Sequence, residues 1–237
     1  MITLYGMGSP NVVKVFIALE ELGLPWQLKI VDVFDGKQFD PEFLKLNPNA
    51  KVPVLVDPDG PGGKPITIFE SGAILIYLAE KTGKLLPKDG AARYEALQWM
   101  MVQMTGQGPM SGQLVHYVRF APAGNDYSKA RYQTQVRNVY RALEQRLASS
   151  PWLTGPEYGI ADVASYPWAR TAETLGFLGD EKAKLFNLAR WMSDMSARPA
   201  VQRANARQDE ARAGTTAFDK ADTDKLDRFL QRGRWHV

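Results

Sequence analysis

The sequence predicts a mixed α/β domain followed by an all-helical domain. Short strand-like runs alternate with helical periodicity up to about residue 82, whereas helical periodicity alone continues from residue 91. Between these stretches, the segment from Leu85 to Gly90 contains the Pro-Lys-Asp-Gly composition of a linker. We therefore expect an N-terminal domain at residues 1–82, a linker at 83–90, a helical domain at 91–210 and a separate tail at 211–237.

The N-terminal pattern accounts for four strands and three helices. Strands are expected at residues 2–5, 27–33, 54–56 and 66–69, with helices at 12–22, 41–47 and 71–82. Gly23 marks the end of the first helix, and Asp40-Pro41-Glu42 combines a capping residue, a proline suited to a first helical turn and an acid. The order βαβ, strand pair and helix predicts a mixed four-stranded sheet.

The second half of the chain shows apolar residues at helical spacing. Helical segments are expected at residues 91–120 with an interruption at Gly108-Pro109, and then at 126–149, 160–176, 181–197 and 199–209. The polar tail has Leu226, Phe229 and Trp235 spaced for one more short helix. Whether this tail docks on the body of the protein or frays is left open by the sequence.

Composition excludes several classes of chemistry. The 237 residues are 45% hydrophobic and 23% charged, as in an ordinary globular protein. The chain has no cysteine, which excludes disulfide bonds, thiolate metal ligands and a sulfur nucleophile of its own. With His116 and His236 as the two histidines, no metal site is expected. Any thiol chemistry must use a thiol that binds.

Charge and hydropathy indicate neither a nucleic-acid partner nor a membrane partner. The net charge is +3, but the basic residues are scattered along helices and alternate with acids, which favours a solvated surface. No apolar run approaches eighteen residues, and the first residues do not resemble an export signal. We expect a cytoplasmic protein.

Two short motifs eighteen residues apart predict a ligand site. At Val52-Pro53, a cis peptide bond would turn the main-chain groups of Val52 outward to pair with an extended peptide ligand. At Glu70-Ser71, Ser71 can cap a helix whose first N–H groups suit an anionic group, and the Glu70 carboxylate suits an ammonium. Glu70 and Ser71 together predict a binding site for an amino-acid head group.

A family resemblance rests on these motifs and on others in order along the chain. A thioredoxin-like N-terminal domain with Val52-Pro53 and Glu70-Ser71, followed by a helical domain, resembles the glutathione transferases over about residues 1–210. Further motifs are similar to the bacterial Nu-class subgroup: Ser9-Pro10-Asn11, Gln38-Phe39, Pro41-Glu42-Phe43-Leu44, Asn47-Pro48-Asn49, Phe69-Glu70-Ser71-Gly72-Ala73-Ile74-Leu75, Tyr77-Leu78-Ala79-Glu80-Lys81-Thr82-Gly83, Leu97-Gln98-Trp99, Gly108-Pro109-Met110, Arg131-Tyr132 and Pro151-Trp152-Leu153.

The resemblance implies roles for ten residues. Asn11 and Ser9 would stabilise the thiolate of a bound glutathione, although Ser9 also suits an ordinary helix cap. Arg131 and Tyr132 would line the outer part of the site, although a solvated arginine is the alternative. The glutathione ligands would be Gln38, Lys51, Val52, Pro53, Glu70 and Ser71, with Gln38 and Lys51 on the side of the glycyl carboxylate.

The implied activity is reduction of a small disulfide by glutathione, which binds as a co-substrate without a metal. Two alternatives stay open: conjugation of glutathione to electrophiles, and a glutathione-binding protein without activity. The resemblance also implies a homodimer. The sequence departs from the family pattern at Ser9, where threonine is common, and at Gly159, where serine or threonine usually opens the capping box. We expect the glycine to cause a small loss of stability.

Overall fold

The computed structural model describes residues 1–235 as two compact units. One unit comprises Met1–Ile74 together with the chain from Gln202 onward, and the other comprises Leu75–Val201. The described part of the tail thus belongs to the same unit as the N-terminal domain. The boundaries expected from the sequence stay a prediction, and residues 236 and 237 of the predicted tail lie outside the described residues.

The first unit contains the predicted mixed sheet. The strands are β1 (Ile2–Gly6), β2 (Trp26–Ile30), β3 (Val54–Asp57) and β4 (Ile66–Phe69), and their order is β2-β1-β3-β4. β1 pairs in parallel with β2 and antiparallel with β3, which pairs antiparallel with β4. The helices that begin in this unit are α1 (Pro10–Leu22), α2 (Pro41–Leu46) and α3 (Ser71–Thr82). Leu4, Phe16 and Leu55 are completely buried in its core.

β2 ends three residues earlier than expected. Val31 and Val33 are buried, which continues the apolar alternation, but the ladder with β1 ends at Gly6 opposite Ile30. The predicted strand at 27–33 is therefore too long, because alternation reports burial and not the partner that ends the ladder.

The second unit is helical. Its helices are α4 (Gly90–Val102), α5 (Gly108–Arg119), α6 (Asp126–Ser149), α7 (Ile160–Thr174) and α8 (Phe186–Ala197), and α9 (Pro199–Ala213) continues into the first unit. The interruption lies at Gln103–Gln107, a π-helical turn that joins α4 to α5, and not at the predicted Gly108-Pro109, which begins α5. In the range 1–235, no helix combines the length and hydropathy needed to cross a bilayer.

A buried carboxylate organises the start of α7. Asp162 is completely buried, and its oxygens accept hydrogen bonds from the main-chain N–H groups of Leu153 (2.7 Å), Thr154 (3.2 Å) and Gly159 (3.1 Å) and from Trp191 Nε1 (2.8 Å). These donors come from the 153–159 loop and from α8. Asp162 therefore joins three segments of the helical unit.

Gly159 stands at the N-cap of α7 because a larger residue would not fit. An added Cβ would lie 2.4 Å from the carbonyl oxygen of Leu85 and 2.8 Å from Thr154 Oγ1. Thr154 Oγ1 instead accepts a hydrogen bond from Ala161 N at 3.2 Å, which is the task that a capping serine would perform. The Thr154 hydroxyl therefore replaces the capping hydroxyl that is missing at Gly159, and it offsets the small loss of stability expected there.

The tail packs against the β2–α2 connection of the first unit. After α9 it forms α10 (Thr223–Leu230), and Phe34 makes edge-on ring contacts with Phe218 and Phe229, each at 5.6 Å between centroids. The Arg228 guanidinium lies 3.9 Å above the Phe39 ring. Lys225 pairs with Asp35 and lowers the pKa of that carboxyl. Of the two possibilities left open by the sequence, the described tail residues show docking.

Candidate active site

A small cavity in the first unit brings three chain segments together. It is lined by the first turn of α1, the loop before β3 and the β4–α3 junction, and its volume is about 60 Å³. The lining residues are Asn11, Asn47, Lys51, Val52, Pro53, Glu70 and Ser71. Since one water occupies about 30 Å³ of the liquid, the enclosed part of the cavity has room for a small polar head group.

The loop before β3 is held by Asn47, which sequence reasoning did not assign to the site. Asn47 is 1% exposed; its Nδ2 donates to the carbonyl oxygen of Lys51 at 2.7 Å, and its Oδ1 accepts from Asn49 N at 3.0 Å. The Val52–Pro53 peptide bond is cis, as predicted. The ladders of β3 begin at Val54, so the main chain of Val52 lies beyond the paired part of the strand. The Asn-Pro-Asn sequence at 47–49 was the available signal, because Asn side chains commonly bond to main-chain groups two residues on.

The β4–α3 junction has an unusual backbone at Glu70. Its φ is +69°, in the left-handed region that non-glycine residues seldom adopt. The Glu70 carbonyl oxygen accepts from Ile74 N at 3.0 Å, so Glu70 occupies the cap position and Ser71 is the first helical residue. The expectation that Ser71 caps the helix is wrong by one residue, because the cap is Glu70. This turn brings the Glu70 and Ser71 side chains to the same cavity.

The two candidate residues at the N-terminus of α1, Ser9 and Asn11, differ in their positions relative to the cavity. Ser9 occupies the N-cap position, where its carbonyl oxygen accepts from Val12 N and Val13 N at 3.0 Å, but its hydroxyl makes no capping hydrogen bond. Asn11 lines the cavity, whereas Ser9 is not among the lining residues. Asn11 is therefore the residue that α1 contributes to the cavity.

Three further predicted residues lie outside this lining. Gln38 is 1% exposed in a 3₁₀ turn at Lys37–Phe39, and neither atom of its amide group has a hydrogen-bond partner among the described residues. Arg131 is exposed on α6 in the other unit, and Tyr132 stacks on Tyr117 at 5.5 Å between ring centroids. The roles assigned to these residues stay predictions.

Lys14 is a second residue that sequence reasoning missed. Its side chain is buried, with the residue 2% exposed, and its Nζ donates a hydrogen bond of 3.3 Å to Ser71 Oγ. Burial lowers the pKa of Lys14 to about 7, and the nearby negative charge of Glu70 acts in the opposite direction. The available signal was a lysine among the buried apolar residues Val13, Val15 and Phe16 of α1. Among residues 1–235, no group of three or more acidic or histidine side chains is arranged to hold a metal ion.

Two models of one protein family together match most of the chain. The family model of the glutathione S-transferase N-terminal domain matches residues 8–81, and that of the C-terminal domain matches residues 109–199. The chain belongs to the glutathione S-transferase family and is an enzyme of that family. The predicted family and the predicted combination of a thioredoxin-like domain with a helical domain are confirmed.

Three relatives are similar to this chain over most of its length. Disulfide-bond oxidoreductase YfcG of Escherichia coli K12 is 47% identical over 169 residues, which cover 71% of this chain and 79% of the relative. A glutathione transferase from Burkholderia graminis, crystallised with two glutathione molecules per subunit, is 46% identical with a TM-score of 0.81 and 86% of each chain covered. One from Pseudomonas putida, with one glutathione disulfide per subunit, is 39% identical with a TM-score of 0.78, covering 86% of this chain and 90% of that one.

Proposed function

We propose that this enzyme binds glutathione and uses its thiolate to reduce small disulfides, as a member of the Nu-class subgroup. The observation that carries the proposal is the lining of one cavity by Asn11, the Val52-Pro53 step and the Glu70-Ser71 pair. In this arrangement Glu70 holds the ammonium of the γ-glutamyl group and Ser71 its carboxylate. The main chain of Val52 pairs with the cysteinyl residue. Relatives that carry the names disulfide-bond oxidoreductase and glutathione transferase support this reading.

The reaction is a thiol–disulfide exchange in two steps. The thiolate of one glutathione attacks a sulfur of the substrate disulfide, which forms a mixed disulfide and releases the other sulfur as a thiolate that takes a proton. A second glutathione thiolate then attacks the glutathione sulfur of the mixed disulfide, yielding glutathione disulfide and the second substrate thiol. Asn11 and Ser9 stabilise the attacking thiolate, which lies at the positive end of the α1 dipole.

Thiolate stabilisation by itself gives a small acceleration. Lowering a thiol pKa from about 8.5 to about 6.5 raises the ionised fraction at pH 7 from roughly 3% to roughly 76%. The lower basicity reduces the intrinsic nucleophilicity about eightfold, which leaves a net factor of about three. Most of the acceleration must therefore come from holding the two sulfurs in line, and a site for two glutathione molecules would do this.

The remaining predicted residues complete the proposed site. Lys51 and Gln38 serve the glycyl carboxylate, while Arg131 and Tyr132 line the outer part in which the substrate disulfide binds. A homodimer, which the family resemblance implies, is part of the proposal. Light scattering coupled to gel filtration would measure its mass, and a monomer at micromolar concentration would contradict this part.

The alternative activity is conjugation of glutathione to electrophiles, which would use the same thiolate with a different molecule in the outer part. Turnover of 2-hydroxyethyl disulfide compared with 1-chloro-2,4-dinitrobenzene separates the two activities. We expect the disulfide to be the better substrate, and the opposite ranking would favour the transferase. Saturable binding of glutathione without turnover of either compound would favour a binding protein.

Asn11 and Ser9 give a matched pair of variants for the same assay. Asn11→Ala should lower disulfide reduction by up to about threefold, the whole net gain from thiolate stabilisation, and by more than Ser9→Ala does, because Asn11 lines the cavity and Ser9 does not. Glutathione affinity, measured by calorimetry, should change little in either variant. Unchanged turnover of Asn11→Ala would contradict its assignment to the thiolate.

A further inference from the structure

Lys14 is a buried cation directly behind the cavity wall. It lies one helical turn after Asn11, so the two side chains share a face of α1. Its Nζ donates to Ser71 Oγ at 3.3 Å, but Lys14 is not among the residues that line the cavity. The lysine therefore reaches the cavity through the Ser71 hydroxyl.

Packing does not explain a lysine at this position. The neighbouring residues Val13 and Val15 on α1 are completely buried, and an aliphatic residue at position 14 would avoid the cost of desolvating an ammonium. Burial lowers the pKa of Lys14 to about 7, so the group is partly neutral near pH 7. An anion that binds nearby would favour its charged form.

We propose that Lys14 is a positioning residue for the α-carboxylate of the γ-glutamyl group, acting through the Ser71 hydroxyl. This inference rests on the glutathione binding proposed above. A hydroxyl oxygen that accepts from an ammonium can turn its own hydrogen toward the cavity and donate it to a carboxylate. The Lys14 charge then faces the ligand's carboxylate, while Glu70 faces the ligand's ammonium.

Proton uptake on binding is the characteristic consequence. Two other charged residues line the cavity, Glu70 from the β4–α3 junction and Lys51 from the loop before β3, and a third, Arg212, packs against Gly8 just before α1. A ligand carboxylate opposite Lys14 raises the pKa of Lys14, so the complex takes up a proton. Effects that both ligands have on Glu70, Lys51 and Arg212 cancel when a ligand with the carboxylate is compared with one that lacks it.

The first experiment uses the natural chain. S-methylglutathione has no titrating thiol, and S-methylated 4-aminobutyryl-cysteinylglycine differs from it by lacking the α-carboxylate. Calorimetry in two buffers of different ionisation enthalpy gives the protons taken up by each complex. S-methylglutathione should take up about half a proton more than the analogue at pH 7, since a group with a pKa near 7 is half charged there. Equal uptake for both ligands would overturn the inference.

The second experiment compares Lys14→Met with Lys51→Met. Lys14→Met should reduce the preference for S-methylglutathione over the analogue by about tenfold and leave affinity for the analogue unchanged, because it removes one charge-assisted contact. Lys51→Met should weaken both ligands equally, since both keep the glycyl carboxylate.

The outcomes separate this inference from the proposed function. If the natural chain binds S-methylglutathione but Lys14→Met keeps the full preference, the inference about Lys14 fails and glutathione binding stands. If the natural chain does not bind S-methylglutathione at millimolar concentration, both fail. If Lys14→Met does not fold, the proton uptake of the natural chain decides.

Discussion

Asp162 and Lys14 are both buried charged residues, one in each unit of the protein, but their surroundings differ. Asp162 on α7 accepts four hydrogen bonds from two other segments of the helical unit, the 153–159 loop and α8, at distances from 2.7 to 3.2 Å. The contacts of Lys14 include a hydrogen bond of 3.3 Å that its Nζ donates to a serine of the candidate site. Burial raises the pKa of the Asp162 carboxyl and lowers that of the Lys14 ammonium, so it disfavours the charged form of each.

The difference indicates what each charge does. Asp162 satisfies main-chain donors that would otherwise be buried without partners, so its desolvation is offset within the fold. Lys14 lies behind a cavity for a small polar group, where a bound anion would offset its desolvation. The first arrangement is typical of structural support, and the second of a binding site whose charge is balanced by a ligand.

Loss of Asp162 is expected to have the largest effect. Asp162→Ala leaves three main-chain N–H groups and Trp191 Nε1 without their acceptor, so the free energy of unfolding should fall by about 3–5 kcal/mol. Denaturant unfolding followed by circular dichroism measures this loss. The control is Asp194→Ala, since that carboxylate is 46% exposed and pairs with Arg190 on the same helix; it should change stability by less than about 0.5 kcal/mol. Equal losses in the two variants would remove the structural distinction made for Asp162.

Replacement of Lys14 should instead raise the free energy of unfolding, by an amount that depends on pH. Between a folded pKa of about 7 and an ordinary value of 10.5, the unfolded chain binds more protons at Lys14 than the folded chain. The stability of the natural chain therefore rises with pH in this window, and the cost of burying the charge is complete below pH 7. Lys14→Met lacks this cost, so it should be more stable near pH 7.

The stability advantage of Lys14→Met should shrink by about 2 kcal/mol between pH 7 and pH 9. Denaturant unfolding at several pH values measures the difference between the two proteins. Lys45→Met is the control, because the Lys45 side chain is 68% exposed and should give no comparable slope. A constant difference between Lys14→Met and the natural chain would mean that Lys14 keeps an ordinary pKa.

Gly159→Ser tests the crowding around the Asp162 network. A hydroxyl residue usually improves an N-cap, but here a new Cβ would lie 2.4 Å from the Leu85 carbonyl oxygen. The variant should lose about 1–2 kcal/mol. Gly112→Ser is the control, since an added Cβ there would make an ordinary 3.6 Å contact with Trp168. A more stable Gly159→Ser protein would show that the loop adapts and that Thr154 is dispensable as the cap.

Thr154→Val should have the smallest effect. It keeps the shape of the side chain and removes the acceptor for Ala161 N, which should lower the free energy of unfolding by about 1 kcal/mol. Thr134→Val on the exposed face of α6 removes only a local bond to the Ala130 carbonyl and should be neutral. A neutral Thr154→Val would mean that water caps α7 as well as this hydroxyl does.

Local patterns predicted much of the fold. The helix expected at 126–149 has these bounds, and α1 ends before Gly23, whose φ of +65° suits a helix C-cap. The strand expected at 27–33 was too long, because the end of a ladder depends on a partner that is distant in the sequence. The docking of the tail on Phe34 was open for the same reason.

The candidate site was predicted in part. The motifs at 52–53 and 70–71 and the residue Asn11 marked three segments that share the cavity. Asn47 and Lys14 were missed, because their contribution depends on contacts with Lys51 and Ser71 and not on a pattern of their own. The roles of Gln38, Arg131 and Tyr132 stay predictions that rest on the family resemblance.

By itself, the sequence determined the fold class, the family and the absence of a thiol, since these follow from periodicity, ordered motifs and composition. The tertiary structure decided that Asp162 accepts hydrogen bonds from main-chain groups of the helical unit and that Lys14 contacts Ser71 behind a cavity. It also decided that Thr154 replaces the missing capping hydroxyl at Gly159. Such features depend on contacts between residues far apart in the chain or across a loop, and local periodicity carries no information about those distances.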